Sequence, residues 1–321
     1  MFQKSFRLAA LLILVGCAHS RYQYRPVQEP TVFQQGYVRT AGLHGRVTDH
    51  VVVISIDGLR ADAVEKFNAP TLHRLMREGR YSLTAQTIPT SLTLPSHTSM
   101  LTGVGADQHH ITWNSDKTRQ FGYVKVPTVF GLAHSAGFAT AAFFSKTKFH
   151  HLEVPGTLDF ARAPTSDIRS PWGEERTTGY VEEYLKNANP NLLFVHLAEP
   201  DFIGHNFGWM GHMYGNAVRE ADLGVSRVLR DADERFGRGN YTLIVTADHG
   251  GHKKSHGTTQ AVDMTIPWIV WGQGVQQGAP LSGIKTMDTA ATVMWLLGLE
   301  QPSNWVGRPV TGAFQAAYVE R

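Results

Sequence analysis

The sequence has little cysteine and little charge. One of its 321 residues is Cys and 18% are charged. A single Cys excludes an internal disulfide and a thiolate metal cluster. Lys and Arg number 30 against 27 Asp and Glu, a balance that gives no signal for specific nucleic-acid binding. What the chain does contain is an ordinary globular composition, with 42% hydrophobic residues, and sixteen His. This composition excludes a disordered, collagen-like or coiled-coil protein.

The position of the single Cys suggests an anchor. Two basic residues precede an apolar run over 8–15 that is too short to span a bilayer, which is typical of an export signal. The run ends in L-V-G-C, which is similar to the lipobox of bacterial lipoproteins, where cleavage precedes a Cys that becomes acylated. We therefore expect a signal peptide over 1–16, lipidation of Cys17, and a tether over 17–49. The protein is then expected in the bacterial cell envelope, at the periplasmic face or the outer membrane.

The rest of the chain, residues 50–321, is predicted to form one domain. Continuous apolar runs of strand length are typical of a parallel sheet that is buried on both faces. They occur at 51–56, 138–144, 192–198, 243–247 and 266–271. Helical patterns lie between them, at 72–79, 217–232 and 290–297. This alternation predicts an α/β fold with a doubly wound, mostly parallel central sheet and helices on both faces.

Acidic residues follow three of the predicted strands. Asp57 follows the first run, Asp201 follows the third, and Asp248 follows the fourth. One such carboxylate is commonly a helix N-cap. In an open parallel sheet, however, ligands bind outside the carboxyl ends of the strands, so three carboxylates at one edge indicate a binding site.

Histidines accompany these carboxylates. His205 lies four residues after Asp201, so both side chains project from one face of a helix, whereas His249 is adjacent to Asp248. His256 lies seven residues beyond His249. Carboxylates and imidazoles without a thiol suit Zn²⁺, with Mn²⁺ or Fe as substitutes. Six ligands exceed the need of one tetrahedral ion, so we expect two Zn²⁺ ions, an arrangement suited to phosphoryl transfer.

A nucleophile is expected in the hydroxyl-rich segment 88–97. This segment precedes a short helical stretch, so a phosphate group could bind at a helix N-terminus. Composition alone leaves four equal candidates, which are Thr90, Ser91, Thr93 and Ser96.

The order of the motifs resembles that of a known family. The motifs are Asp57, Thr93 in T-L-P-S-H, Asn114 in I-T-W-N-S, Asp201-x-x-x-His205, Asp248-His249-Gly250 and His256-Gly257. Together they resemble the alkaline phosphatase superfamily, especially its type I phosphodiesterase/nucleotide pyrophosphatase branch. The resemblance covers 51–309, and six separated motifs in one order make it specific.

The resemblance implies a mechanism. One zinc would be held by Asp201, His205 and His256, and a second by Asp57, Asp248 and His249. Thr93 would bridge toward the second ion and form a covalent phospho-enzyme, because a metal lowers the pKa of a bound hydroxyl. Asn114 would donate a hydrogen bond to a non-bridging phosphoryl oxygen. The implied substrate is a small phosphodiester or pyrophosphate, such as a nucleotide.

The chain departs from the branch in two places. The branch usually carries Asn where Ser96 stands and an aromatic residue where Leu94 stands. It often has a long insertion before its last ligand, whereas here only seven residues separate His249 from His256. His252 lies close enough in sequence to compete with His256 as the third ligand.

Two lysines leave the substrate class open. Lys146 and Lys148 follow the second strand run, where some phosphomonoesterases of the superfamily place a Lys-x-Arg pair that neutralises a terminal phosphate. Solvated lysines are the alternative. A phosphoethanolamine transferase is conceivable, although such enzymes usually carry several membrane helices. A sulfatase is disfavoured because the C/S-x-P-x-R context is missing. A non-catalytic envelope lipoprotein is the alternative from another class. The sequence does not indicate an oligomeric state.

Overall fold

The computed structural model describes residues 45–165 and 173–319. The predicted signal peptide, Cys17 and nearly all of the predicted tether lie outside these residues. The signal peptide, the lipid anchor and the domain bounds therefore stay predictions. None of the helices in the described residues is long and apolar enough to cross a membrane.

A seven-stranded sheet forms the centre of the molecule. Its strands are β1 (Val51–Ile56), β2 (Arg80–Gln86), β3 (Thr140–Phe143), β4 (Phe160–Arg162), β5 (Leu192–Leu197), β6 (Thr242–Thr246) and β7 (Thr265–Gly272). Their order is β2-β7-β6-β1-β5-β3-β4. β1 pairs in parallel with both β5 and β6, whereas β7 runs antiparallel to β6 and β2. The predicted single-domain α/β fold with a mostly parallel sheet is confirmed.

Helices flank this sheet in two groups. The helices are α1 (Ala61–Lys66), α2 (Pro70–Glu78), α3 (Thr93–Thr102), α4 (Ala106–His109), α5 (Thr118–Phe121), α6 (Val129–Ser135), α7 (Glu174–Leu185), α8 (Glu199–Phe207), α9 (His212–Phe236), α10 (Ala261–Met264), α11 (Asp288–Leu296) and α12 (Ala316–Val319). Short 3₁₀ turns span Thr147–Leu152 and Thr311–Ala313. α2, α7 and α8 pack against the long α9, while α3, α6 and α11 pack against one another.

The five predicted strands are present, with ends that differ by at most two residues from those predicted. The largest difference is β3, which starts at Thr140 rather than at 138. β2 and β4 were not predicted because neither is a continuous apolar run. β2 lies at one edge of the sheet with only part of its residues buried, and β4 has three residues at the other edge.

The topology brings four loops together at one edge of the sheet. β6, β1, β5 and β3 are consecutive neighbours and run in the same direction. Every residue of these four strands is buried. The segments that follow their carboxyl ends therefore meet above the sheet, as expected for a ligand site in an α/β protein.

Candidate metal centre

The three predicted carboxylates meet at this edge, and all are buried. Asp57 directly follows β1, Asp248 lies two residues after β6, and Asp201 lies in the first turn of α8. The Asp201 N–H donates to the Asp57 carbonyl over 3.0 Å, and the Gly58 N–H donates to Asp248 Oδ1 over 3.1 Å. Gly58 has a φ of +69°, and a Cβ there would lie 2.8 Å from Asp201 Cα. Only glycine permits this close approach of the segment after β1 to the first turn of α8.

Three histidines direct their Nε2 atoms toward the carboxylates. Each has its Nδ1 within hydrogen-bond distance of a backbone carbonyl: His249 with Gly250 at 2.8 Å, His205 with Lys254 at 3.1 Å, and His256 with Ser91 at 2.8 Å. A carbonyl only accepts, so Nδ1 carries the hydrogen in each ring. Nε2 is thereby the ring nitrogen through which each histidine can bind a metal, with loss of a proton where the ring is charged.

The ligand atoms form two groups. The outer group is Asp201, His205 and His256, whose ligand atoms lie within 4.8 Å of one another. The inner group is Asp57, Asp248 and His249, in which His249 Nε2 lies 3.3 Å from Asp57 Oδ1 and 3.2 Å from Asp248 Oδ2. Asp201 also lies within 4.8 Å of Asp57 and His249. The resemblance assigns Asp201 to one ion, whereas the geometry places it between the two groups.

One oxygen of each carboxylate has no hydrogen-bond partner. These buried oxygens are Asp57 Oδ1, Asp201 Oδ1 and Asp248 Oδ2. Each is within 3.5 Å of the Nε2 of at least one of the three histidines. Burying an unpaired carboxylate oxygen is costly, and a cation would remove that cost. Together the oxygens and imidazole nitrogens fit a divalent ion such as Zn²⁺.

The negative charge of the inner group also shifts its pKa values. Burial and the neighbouring charge of Asp57 raise the pKa of Asp248 to about 8. Burial lowers the pKa of His249, but the charges of Asp248 and Asp57 outweigh it and raise that pKa to about 9. Burial raises the pKa of Asp57, yet the ammonium of Lys146 holds it well below the usual range. These carboxylates therefore form a strongly cation-attracting site.

Thr93 lies beside the inner group. It is the first residue of α3 and is fully buried, with its Oγ1 3.3 Å from His249 Nε2. Ser91 and Ser96, two of the other candidate nucleophiles, donate their hydroxyl hydrogens to backbone carbonyls. Thr90, the fourth, has a buried hydroxyl without a hydrogen-bond partner. Of the four hydroxyls, that of Thr93 is the one in contact with His249, a candidate metal ligand.

Asn114 lies next to the start of α3. Its Oδ1 accepts hydrogen bonds from the Leu94 N–H and from Lys148 Nζ, each over 3.0 Å. Because the amide oxygen is used in this way, the amide NH₂ is the group left to donate. This is the hydrogen-bonding direction that the predicted role of Asn114 requires.

The two lysines have different positions. Lys146 Nζ lies 2.6 Å from Asp57 Oδ2 and 2.5 Å from Asp201 Oδ2, so it bridges the two carboxylates through the oxygens that do not face His205, His249 or His256. Lys148 instead contacts Asn114, and burial and the charge of Lys146 lower its pKa to about 8. The sequence suggested that both lysines could neutralise a phosphate. In the structure the charge of Lys146 is instead paired with Asp57 and Asp201.

Two buried histidines that the sequence analysis did not single out support the site. His196, in β5, lies with Nε2 3.0 Å from Asp57 Oδ2. His97, in α3, has Nδ1 2.8 Å from the Thr93 carbonyl and Nε2 2.8 Å from Ser55 Oγ. A histidine inside the otherwise apolar run L-L-F-V-H-L was the signal available in the sequence for His196.

Asp263, which was also missed, holds the loop that carries His256. Its Oδ1 accepts from His252 Nδ1 over 2.8 Å, and its Oδ2 accepts from the backbone and hydroxyl of Thr258. The structure thus places His252 in a loop contact, while His256 Nε2 lies 3.5 Å from Asp201 Oδ1.

Comparisons with known proteins identify a family and a fold for this chain. The family model for type I phosphodiesterase/nucleotide pyrophosphatase matches residues 51–265. GPI ethanolamine phosphate transferase 1 of Gibberella zeae is 23% identical over 85% of this chain and 33% of the transferase. Bis(5'-adenosyl)-triphosphatase enpp4 of Xenopus laevis is 25% identical over 63% of this chain and 47% of the relative. The chain therefore spans less than half the length of these two curated relatives.

Solved structures share the fold at low sequence identity. Murine ectonucleotide pyrophosphatase/phosphodiesterase 5 superposes with a TM-score of 0.67 at 15% identity, over 83% of this chain and all of that one. BT1596, a 2-O GAG sulfatase, superposes with a TM-score of 0.68 at 16% identity, over 83% of this chain and 74% of that one. The fold is that of the alkaline phosphatase superfamily, and within it the chain belongs to the type I phosphodiesterase/nucleotide pyrophosphatase family.

Proposed function

We propose that the protein cleaves phosphodiester or pyrophosphate bonds through Thr93 at a two-zinc site. The observation that carries this proposal is the convergence of three unpaired carboxylate oxygens and three imidazole Nε2 atoms beside the Thr93 hydroxyl. Asp201, His205 and His256 would hold one ion, and Asp57, Asp248 and His249 the other. When bound, the ions supply charge neutralisation and a lowered hydroxyl pKa, and Mn²⁺ or Fe could substitute for Zn²⁺.

Thr93 Oγ1 acts as the nucleophile in this proposal. It forms a bond to phosphorus as the bond to the leaving oxygen breaks, its proton passes to solvent, and the leaving oxygen is protonated. Water then attacks the phosphothreonine and releases Thr93. The Asn114 NH₂ donates to a non-bridging oxygen of the phosphoryl group and stabilises its developing charge.

Monoester hydrolysis is the second candidate, and the position of Lys148 favours it. The ammonium lies 3.0 Å from Asn114 Oδ1, on the residue proposed to bind the phosphoryl group. It would add positive charge where a terminal phosphate carries one more negative charge than a diester. Lys146 contributes less, because it is paired with Asp57 and Asp201.

Group transfer is the third candidate, because several curated relatives are GPI ethanolamine phosphate transferases. A transferase would share the first step and differ only in the second, in which an alcohol rather than water attacks the phosphothreonine. Product analysis in the presence of an added alcohol such as ethanolamine separates the two outcomes.

The proposed function is tested with two chromogenic substrates. Purified protein is assayed with zinc on bis(p-nitrophenyl) phosphate and on p-nitrophenyl phosphate, before and after EDTA. We expect faster diester cleavage, and a strong monoester preference would reverse the order of the first two candidates. Thr93→Ala should abolish turnover but keep zinc. Thr98→Ala is the matched control, because Thr98 lies in the same helix and its hydroxyl donates to the Leu94 carbonyl.

Two results would contradict the mechanism. Full activity that survives both EDTA and Thr93→Ala would exclude the metal and the nucleophile. No activity on any phosphate ester after zinc is restored would favour the non-catalytic envelope lipoprotein.

We also propose that Cys17 carries the lipid anchor that places the protein in the cell envelope. The support is the L-V-G-C motif after an apolar run. Metabolic labelling with a radioactive fatty acid should mark the wild type and not Cys17→Ser. Equal labelling of both proteins would contradict the proposal.

A further inference from the structure

His196 is a fully buried histidine in the middle of the sheet. It belongs to β5, and its backbone pairs with Ser55 of β1, two residues before Asp57. Its ring packs against those of Phe149 and His97, with ring centroids 4.5 Å and 5.0 Å away. Strand pairing and ring packing therefore restrict the imidazole to one position.

The hydrogen bonds of His196 set the direction of donation. Its Nδ1 faces the Ser145 N–H at 3.4 Å, and its Nε2 lies 3.0 Å from Asp57 Oδ2. A backbone N–H can only donate, so Nδ1 is the acceptor and Nε2 carries the hydrogen. His196 thus donates to Asp57.

This bond decides which oxygen of Asp57 is available. Oδ2 receives both His196 Nε2 and Lys146 Nζ, whereas Oδ1 has no hydrogen-bond partner and lies 3.3 Å from His249 Nε2. Rotation of the carboxylate would break both bonds. At Asp201, by contrast, Lys146 is the partner of Oδ2.

We propose that His196 is a positioning residue of the inner group, which holds Asp57 so that Oδ1 is presented to the ion. This inference rests on the proposed two-metal function. Hydrogen bonds to metal-ligating carboxylates orient the ligand, and their loss typically lowers metal affinity about 10–100-fold. Because His196 contacts Asp57 rather than an outer histidine, its loss should weaken one of the two zinc equivalents.

The test is a zinc titration of the metal-free protein in competition with a chromophoric chelator. His196→Gln and His196→Met have similar volumes, but only the glutamine keeps an N–H donor near the position of Nε2. We expect His196→Met to weaken one equivalent about 10–100-fold and His196→Gln to restore most of that loss. Thr140→Val, at the start of β3, is the control for a polar deletion in a buried strand and should leave both affinities unchanged.

Three results would overturn the inference. These are wild-type affinity for both equivalents in folded His196→Met, equal weakening of both equivalents, and equal behaviour of the Gln and Met variants. A wild-type protein that binds no zinc would instead refute the proposed function itself. If His196→Met does not give a cooperative thermal transition, His196→Leu provides the same comparison without a donor.

Discussion

The inner and outer groups are held in different ways. Asp57, Asp248 and His249 follow two central strands, and their side chains are 0% exposed. In the outer group, His205 lies on α8 with 44% of its side chain exposed, and His256 lies in a loop. The candidate ligands of the inner group are held by the sheet and by buried donors, whereas those of the outer group lie on a short helix and a loop. Solvent access therefore differs between the two groups at His205, whereas the side chains of His256 and Asp201 are only 5% and 6% exposed.

The difference implies unequal roles. An ion at the inner group would be shielded from water and next to Thr93, whereas an ion at the outer group would be more accessible and more easily exchanged. Substitutions in the inner group should therefore lower kcat/KM more than substitutions in the outer group. Added zinc should restore activity less well after a substitution in the inner group.

The largest effect is expected for His249→Ala. This variant removes a proposed ligand of the inner group that also contacts Thr93. Loss of several kcal/mol of charge stabilisation corresponds to about a 10³-fold fall in kcat/KM. Steady-state kinetics and zinc content by elemental analysis check this, and we expect excess zinc not to restore activity. Two retained zinc ions would contradict the assignment.

A smaller and reversible effect is expected for His205→Ala. The removed side chain is half exposed; it is within hydrogen-bond distance of the Lys254 carbonyl and packs against the rings of Trp209 and His256. We expect kcat/KM to fall about 10–100-fold and to recover as zinc is raised. Asn206→Ala, at the next exposed position of α8, is the control. If His205→Ala lowers kcat/KM as much as His249→Ala does, the expected difference between the two groups is wrong.

The loop contact at Asp263 should affect the outer group alone. Asp263→Ala removes the acceptor for His252 and Thr258. We expect the free energy of unfolding to fall by about 1–3 kcal/mol and the affinity for one zinc equivalent to fall about tenfold. Chemical denaturation and zinc titration measure the two effects. A lower affinity for the zinc equivalent assigned to the inner group would contradict the expected independence of the two groups.

The smallest expected effect is a pH dependence of stability that arises from His109, a residue outside both groups. Burial lowers the pKa of His109 to about 4, and its Nδ1 accepts from the Ile111 N–H. The folded pKa lies below the unfolded value of about 6.5, so the unfolded state binds more protons between these values. The contribution of His109 to the free energy of unfolding is complete above pH 6.5. It is lost as the pH falls toward 4, which lowers the free energy of unfolding by about 1–3 kcal/mol. His109→Gln should reduce this slope in denaturation curves from pH 4 to 7. An unchanged slope would contradict the assignment.

Much of the inner group was accessible from the sequence. The apolar runs predicted β1, β5 and β6, and the rule for strand ends placed Asp57, Asp201 and Asp248 at one edge. His196 was missed because its partner, Asp57, follows a strand that is distant in sequence. The bond to Asp57 exists because β5 pairs with β1 in one register, which periodicity does not encode.

Lys146 and His252 show the same limit. Lys146 follows a predicted strand and His252 lies near two candidate ligands in sequence, yet Lys146 pairs with two carboxylates and His252 pairs with Asp263. The position of a residue in the sequence predicts which part of the fold it lies in. Its rotamer and its hydrogen-bond partners depend on the side chains that the neighbouring loops place around it.

The sequence by itself determined the fold class, the family and the chemistry of the candidate ligands, because these follow from apolar periodicity and from the order of the motifs. Tertiary structure decided how the ligands are shared: which oxygen of each carboxylate is unpaired, which lysine neutralises charge, and why Asp201 lies between the two groups. The physical reason is that strand order and register bring together side chains far apart in the chain, and the hydrogen bonds formed there leave only some lone pairs free for a metal.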